Sequence, residues 1–337
     1  MAGTTALVTG AAGLIGSHVV DELIARGRHV IAMDDLSGGF RENVHPHAEF
    51  VEASVTDVAA VQRVLHTYKP THVFHLAAYA AEGLSHFIRH FNYTNNLLGS
   101  VNLINASVTH GVECFVFTSS IAVYGKNQLP MSEDMVPLPE DPYGIAKYAV
   151  ELDLRCAHEL FGLNYVIFRP HNVYGERQNI GDPYRNVIGI FMNQAMRDEP
   201  MTIYGDGSQT RAFSYISDVA PVIASAPETP ASFGRVFNVG ADEPYSVTHL
   251  AERVASHINK PNTPIIYLPG RKEVLNAYAS HKAVTDVFNC KPLISLDAGL
   301  ARMATWALRH GARKGRPFKG VEVPVNMPSH WAAMVAE

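Results

Sequence analysis

An open, doubly wound parallel α/β sheet followed by a smaller mixed α/β region is the fold this sequence predicts, and three observations carry the prediction. Short apolar runs at residues 6–9, 29–33, 49–51, 72–76, 115–119 and 165–168 alternate with helix-length segments, the βα rhythm of a parallel sheet. The first run leads into Thr9-Gly10-Ala11-Ala12-Gly13-Leu14-Ile15-Gly16 and then a helical pattern at 19–25, so strand, glycine turn and helix follow in immediate succession. After Arg169-Pro170 the rhythm breaks into polar, Gly- and Pro-bearing stretches such as Gly205-Asp206-Gly207, with helical patterns at 187–196 and 247–258 between them. Residues 1–170 are therefore expected to form one domain and 171–337 a second, with 213–216 and 236–239 as segments that can return to the first.

Each element adds chemistry in order. Gly10 and Gly13 let the backbone turn tightly and approach a pyrophosphate, Gly16 lets helix and sheet pack closely, and the helix N-terminus faces the phosphates. The second strand ends in Asp34-Asp35, where a carboxylate accepts from an adenosine ribose 2'-hydroxyl and repels a 2'-phosphate, which favours NAD over NADP. The fifth strand ends in Thr118-Ser119-Ser120, and open α/β sheets take ligands at the carboxyl ends of their strands. Strand-end capping is the plainer role for the serines. Tyr143 and Lys147 then put a phenol and an ammonium on one helix face, and a positive charge that close favours phenolate. Segments 95–109 and 143–161 are amphipathic helices that pack on the sheet and still offer a second face.

Composition limits the rest. A net charge of -5 gives no global attraction to nucleic acid or an anionic membrane, and no apolar run is long enough to span a bilayer. Cys114, Cys156 and Cys290 are odd in number, widely spaced and unaccompanied by a secretory apolar region, so neither a disulfide framework nor a Cys-rich zinc site is expected, and the cytoplasm is the default compartment. His86 and His90 fall at i, i+4 without a third ligand, and no metal is expected. Five basic residues within 309–319 follow a helical pattern whose C-terminus favours positive charge, and the stretch is expected to be a solvated tail.

The glycine turn, the acid, the strand-end hydroxyls and the Tyr-Lys spacing, in this order, resemble the extended short-chain dehydrogenase/reductases, with their Rossmann-like domain. Within them the chain is similar to the nucleotide-sugar 4-epimerases of the UDP-glucose/UDP-galactose kind, over nearly its whole length. The resemblance implies NAD held by Gly10, Gly13, Leu14, Ile15, Gly16, Asp34, Asp35, Ser54, Val55, Leu76, Ala77, Ala78, Asn95 and Thr118, with Tyr143 and Lys147. Ser54 stands where the family has an aspartate against the adenine amino group. Tyr143 would take the proton of a sugar hydroxyl that Ser120 hydrogen-bonds, Lys147 would also hold the nicotinamide ribose, and Thr118 or Ser119 would share the proton path. For a nucleotide-diphosphate sugar the resemblance implies Asn172, Asn186, Thr202 and Tyr204, with Arg211 and Arg271 clamping the diphosphate. The residue that gates the sugar end is Tyr278 by spacing from Arg271, or Ala277 when counted back from Ser280.

Ile121-Ala122 follow Ser120 where sugar 4,6-dehydratases carry an acidic pair and UDP-glucuronate decarboxylases a glutamate, which leaves simple epimerisation at C4. The run Tyr79-Ala80-Ala81-Glu82-Gly83-Leu84-Ser85-His86 is unlike that of the UDP-galactose epimerases, which have a lysine at the Ala80 position. Glu176-Arg177-Gln178-Asn179 lacks the glycine-arginine signature of glucuronate 4-epimerases, although Arg185 could meet a carboxylate. A uronate 4-epimerase and a 4-keto-sugar reductase stand as alternatives. The two amphipathic helices correspond to those that form a dimer bundle in the family, so a homodimer is expected.

Overall fold

Side chains alternate along the first strand, and this separates two cores. In the computed structural model, which describes residues 4–336 apart from 127, 291, 293 and 316, Ala6 and Val8 of β1 (Thr5–Thr9) face one side of a sheet and Leu7 the other, all fully buried. The chain continues through α1 (Leu14–Ala25), β2 (His29–Asp34), β3 (Glu49–Glu52), α2 (Val58–Tyr68), β4 (His72–His75), α3 (Glu82–Ser85), α4 (Arg89–Tyr93), α5 (Gly99–His110), β5 (Cys114–Thr118), α6 (Pro142–Phe161) and β6 (Asn164–Pro170). Beyond it come β7 (Val173–Tyr174), α7 (Val187–Met196), β8 (Met201–Tyr204), β9 (Thr210–Ala212), β10 (Ser214–Tyr215), α8 (Ile216–Ser225) and β11 (Arg235–Val239). The last stretch holds β12 (Pro244–Ser246), α9 (Val247–His257), β13 (Ile265–Leu268), β14 (Asn276–Ala277), α10 (Lys282–Phe288), α11 (Leu296–His310) and α12 (Ser329–Ala336).

The main sheet has the order β3-β2-β1-β4-β5-β6-β11, with every pair parallel. Helices α2, α5 and α6 cover one face with Leu7, Ile31, Val73, Phe115 and Ile167 beneath them, and α1 and α8 cover the other. The α1 side runs without a break into the region after residue 170, where Phe191 of α7, Leu250 of α9 and Met303 of α11 join the same core as Val8 and Phe168. Smaller sheets, β10-β7, β12-β9-β14 and β13-β8, complete that region.

One predicted helix is divided. Segment 95–109 begins as a wide π-helical turn, Thr94–Leu98, before α5. Two asparagines there redirect local hydrogen bonding: Asn95 Nδ2 donates to the Phe91 carbonyl, and Asn96 Nδ2 to the Tyr79 carbonyl and Asn92 Oδ1. Helix α6 starts where its sequence says it should, because Asp141 accepts from Gly144 N at 2.9 Å with Pro142 in the first turn, and it ends at Gly162 with φ 73°.

The stretch after α11 corrects an expectation, since it is docked on the protein. Arg313 pairs with Glu42 at 2.7 Å and stacks 3.8 Å over Phe40, and Phe318 packs on Phe91 and Tyr79. Trp331 of α12 is 2% exposed among Tyr184, Tyr204 and Phe87. Arg309, Lys314 and Lys319 do face solvent, while Arg316 lies outside the described residues. Isolated aromatic anchors hold this segment, and the basic residues between them hid the pattern. No helix among the described residues is long and apolar enough to cross a membrane.

Replacing Trp331 by Ala should cost about 3–5 kcal/mol, read as a lower urea midpoint in equilibrium unfolding. A cost under about 0.5 kcal/mol, the level of an exposed position, would remove this tail from the packed structure.

Candidate active site

The site begins with backbone contacts. At the end of β1, Gly10 has φ +71°, and a Cβ there would lie 2.7 Å from Ala77 N. A Cβ on Gly16 would lie 2.0 Å from the Gly10 carbonyl oxygen. Only glycine allows the turn, the end of β4 and the first turn of α1 to meet so closely. The N-terminus of α1 therefore opens into the crevice between β1 and β4, where the strand order reverses. Asp34 closes the adjacent wall, with Oδ2 accepting from Ala12 N at 3.0 Å and Oδ1 from Leu36 N at 2.7 Å. Burial raises its pKa, and those two backbone bonds oppose the rise.

One cleft gathers Gly10, Gly13, Leu14, Ile15, Gly16, Asp34, Asp35, Val55, Leu76, Ala77, Ala78, Asn95, Thr118, Tyr143 and Lys147. Ser54 is the predicted cofactor residue outside that lining: its hydroxyl turns to Thr56 Oγ1 at 3.0 Å, and Ala53 and Val55 form the wall instead. Sequence reasoning passed over Gln178. It is 4% exposed, lines the same cleft, and neither of its amide atoms has a partner among the described residues. A glycine cradle that a Cβ would fill, a fixed carboxylate and an unpaired buried amide make a donor and acceptor set that fits a dinucleotide.

At the carboxyl end of β5, Lys147 is 2% exposed and its Nζ donates to the Thr118 carbonyl at 2.8 Å, lying 4.7 Å above the Phe117 ring centroid and 5.9 Å from that of Tyr143. Ser120 both caps the following turn, accepting from Ala122 N at 3.1 Å, and hydrogen-bonds the Tyr143 phenol. The electrostatics differ from the sequence expectation. Burial pushes Lys147 down to about 7, against the pull of Glu151, and burial raises the Tyr143 pKa although the Ser120 hydrogen bond opposes it. In the protein alone, desolvation outweighs the lysine's effect on the phenol. Ser119 is committed elsewhere: its hydroxyl donates to Glu151 at 2.5 Å, and Glu151 holds Arg169 in an ion pair with both side chains 4% exposed.

A second cavity continues from the cleft, sharing Ala80, Glu82, Ser120, Pro170, Asn172, Arg185 and Asn186 with it. Asn172 and Asn186 adopt left-handed backbones, φ 42° and 58°, a region that asparagine tolerates better than most residues. Their amides donate to the Ala212 carbonyl at 3.0 Å and to the Val173 carbonyl. Thr202, Tyr204, Arg211 and Arg271 line the far part. Arg211 is braced by the Thr210, Leu275 and Val274 carbonyls, and both arginines approach Glu273. Arg271 lies over Tyr204 at 4.6 Å and Trp331 at 5.4 Å, so the docked tail backs this cavity. Arg271 Nε and the Tyr204 hydroxyl are buried without partners among the described residues, which leaves donors for an anionic ligand.

Tyr278 is not in the lining, whereas Ala277 is. The two-residue strand β14 runs beside β9 and directs Ala277 inward, while the Tyr278 carbonyl accepts from Met131 N at 3.0 Å. Beside Asn172, His171 forms a buried relay: its Nδ1 meets the Ala212 carbonyl at 3.2 Å, its Nε2 meets His281 Nε2 at 2.9 Å, and His281 Nδ1 meets Asp242 at 2.5 Å. Acceptors stand at both ends, so three bonds need three protons from two rings. Burial pushes His171 down to about 3, and the neighbouring His281 adds to the fall.

A parallel sheet with a glycine turn at its switch point and a Ser-Tyr-Lys set beside it defines an NAD-dependent enzyme of the short-chain dehydrogenase/reductase type. The chain belongs to the NAD dependent epimerase/dehydratase family, whose model matches residues 6–240. It is 36% identical over 305 residues to a UDP-glucose 4-epimerase of Mycolicibacterium smegmatis, covering 88% of this chain and 96% of that one. The solved UDP-glucose 4-epimerase of Thermotoga maritima with UDP-glucose superposes with a TM-score of 0.85 at 35% identity, over 91% of this chain and 99% of that one. The UDP-N-acetylglucosamine 4-epimerase of Methanobrevibacter ruminantium M1 in complex with UDP-N-acetylmuramic acid gives 0.84 at 31% identity, over 92% and 100%. The protein is a nucleotide-sugar epimerase that uses NAD.

The lowered Lys147 has a measurable consequence. An unfolded lysine titrates near 10.4 and the buried one at about 7, so between these values the unfolded chain binds a proton that the folded one does not. Stability of the cofactor-free protein should rise with pH through that window. Urea midpoints measured from pH 7 to 10 should show wild type gaining on Lys147→Met, and parallel profiles would contradict the burial of a lysine with so low a pKa.

Proposed function

We propose that the protein interconverts the C4 epimers of a UDP-hexose, UDP-glucose and UDP-galactose foremost. The observation that supports this most is the junction of the two cavities: Ser120 and Tyr143 stand at the cofactor side, and Arg211 and Arg271 stand at the far side, where a diphosphate would bridge them. Tyr143, ionised as the positive nicotinamide of bound NAD+ would favour, would accept the proton of the C4 hydroxyl, Ser120 would hold that oxygen, and Lys147 would hold the ribose beside them. Bound NAD supplies the two-electron acceptor for the alcohol-to-ketone step and returns the electrons afterwards. The 4-keto sugar then turns over in the cavity while the arginines retain the diphosphate.

Two further points favour this substrate class. Ala277 is a small side chain at the cavity wall, so an N-acetylhexosamine pair is the expected second substrate. Arg185 is bonded to Asp182 by Nε at 2.7 Å and Nη2 at 2.6 Å and stacks 4.8 Å over Tyr79, which ranks a uronate lower. A dimer in the cytoplasm is part of the same proposal. Its helix α6 presents an outward stripe at 145, 149, 152, 156 and 160, with Ile145 42% and Leu160 75% exposed, next to Leu98 at 54%.

Purified protein without added cofactor should convert UDP-glucose to UDP-galactose, followed by chromatography beside UDP-N-acetylglucosamine, GDP- and dTDP-sugars. Tyr143→Phe should lose about 10²- to 10⁴-fold in kcat while keeping its NAD. No epimer from any donor, or near-normal turnover by the variant, would sink this function. Light scattering should report a dimer that Leu160→Glu weakens, and a wild-type monomer would refute the assembly.

A further inference from the structure

Glu82 is the carboxylate that the epimerisation leaves unused. It opens α3, lines both the cofactor cleft and the substrate cavity, is exposed to the space between them, and has no side-chain hydrogen bond or ion pair among the described residues. The electrostatic neighbours of its carboxylate are Asp141, Arg211, Glu273 and Arg271, and the phenol of Tyr143 in turn feels both Glu82 and Asp141. These relations place it between the catalytic phenol and the arginine pair, the interval a hexose must occupy.

The charges around that interval are not balanced. Arg211 and Arg271 share Glu273 and face the diphosphate end, and Arg185 is bonded to Asp182. Asp141 is buried at the start of α6, its Oδ1 accepting from Gly144 N at 2.9 Å and from Ser85 Oγ at 3.5 Å. Glu82 is exposed to the cavity and has neither bond nor ion pair among the described residues, so both its oxygens can meet the sugar.

We propose that Glu82 is a specificity residue: it accepts hydrogen bonds from the hydroxyl groups of an uncharged hexosyl ring, and its charge turns away uronates. A carboxylate offers two oxygens to neighbouring hydroxyls, and a like charge set beside it in a closed cavity is strongly disfavoured. The walls of the cavity raise the Glu82 pKa through desolvation, with Asp141 adding to the rise and the two arginines opposing it. Protonation therefore weakens the discrimination. The proposal rests on the 4-epimerase function, but it concerns binding and can be tested apart from turnover.

The experiment measures Kd for UDP-glucose and UDP-glucuronate by calorimetry in the NAD-loaded Tyr143→Phe protein, alone and combined with Glu82→Gln or Glu82→Leu. Retained NAD reports that each variant is folded. The unmodified Glu82 protein should prefer UDP-glucose, and both variants should narrow that preference by about tenfold or more. Glu82→Leu should also weaken UDP-glucose itself by about tenfold as its hydrogen bonds are lost. Lowering the pH from 8 to 6 should narrow the preference clearly more with Glu82 present than with Gln, where Asp141, pushed up to about 6 by burial, is the nearby carboxylate left to titrate. A preference that stays within twofold in both variants overturns the role of Glu82, whatever the turnover assay shows. A narrowed preference supports it even where wild-type protein forms no epimer, an outcome that would refute the 4-epimerase function alone.

Discussion

Three lengths of backbone touching without side chains between them set the geometry on which the site depends. The Gly10 turn lies against Ala77, and Gly16 against the Gly10 carbonyl, at separations no Cβ could enter. This contact ties β1, α1 and β4 into one unit and leaves the crevice beside it open. The opposite wall is built differently, by placing a lysine where its charge is poorly solvated. Lys147 is compensated by the Thr118 carbonyl and the Phe117 ring, and the phenol beside it is also buried. Groups held in such surroundings weaken the fold locally and gain reactivity, as functional sites commonly do.

Much of this could be read from the chain. The βα alternation, the glycine turn and the Tyr143-Lys147 spacing rest on local rules of strand, turn and helix, and the observed strand and helix limits fall within a few residues of those rules. What escaped depends on contacts distant in sequence. Tyr278 and Ala277 cannot be distinguished by counting, because the register of β14 against β9 decides which one points inward. Ser54 looked like a ligand position, but a hydroxyl two residues away was nearer. Trp331, one of only two tryptophans in the sequence, was the available sign that the tail docks, and the intervening charges masked it. The balance between Lys147 and Tyr143 needed the depth of burial, which spacing does not reveal.

The two ends of the second cavity are built differently. Around the arginines, carbonyls, aromatic faces and a carboxylate fix the guanidinium groups before a ligand arrives, which reduces the ordering cost of binding. Toward Ser120 the wall combines small or apolar side chains such as Ala80, Ile121 and Ala277 with the polar Glu82, Asn172 and Asn186. On the proposed function, anchoring at the arginine end leaves the other end of the ligand free to turn within the cavity.

The pairing of β11 with β6 carries a consequence for how such chains can be recombined. Residues between these two strands form an excursion whose entry and exit are adjacent rungs of one sheet. A single crossover after residue 170 would give β6 a partner strand from another parent, or none, and an unpaired apolar edge invites aggregation. The region resumes after β11 with Arg271 and Ala277, so its exchange between relatives calls for three junctions, one after β6 and one on each side of β11, with the β6–β11 seam inherited from a single parent.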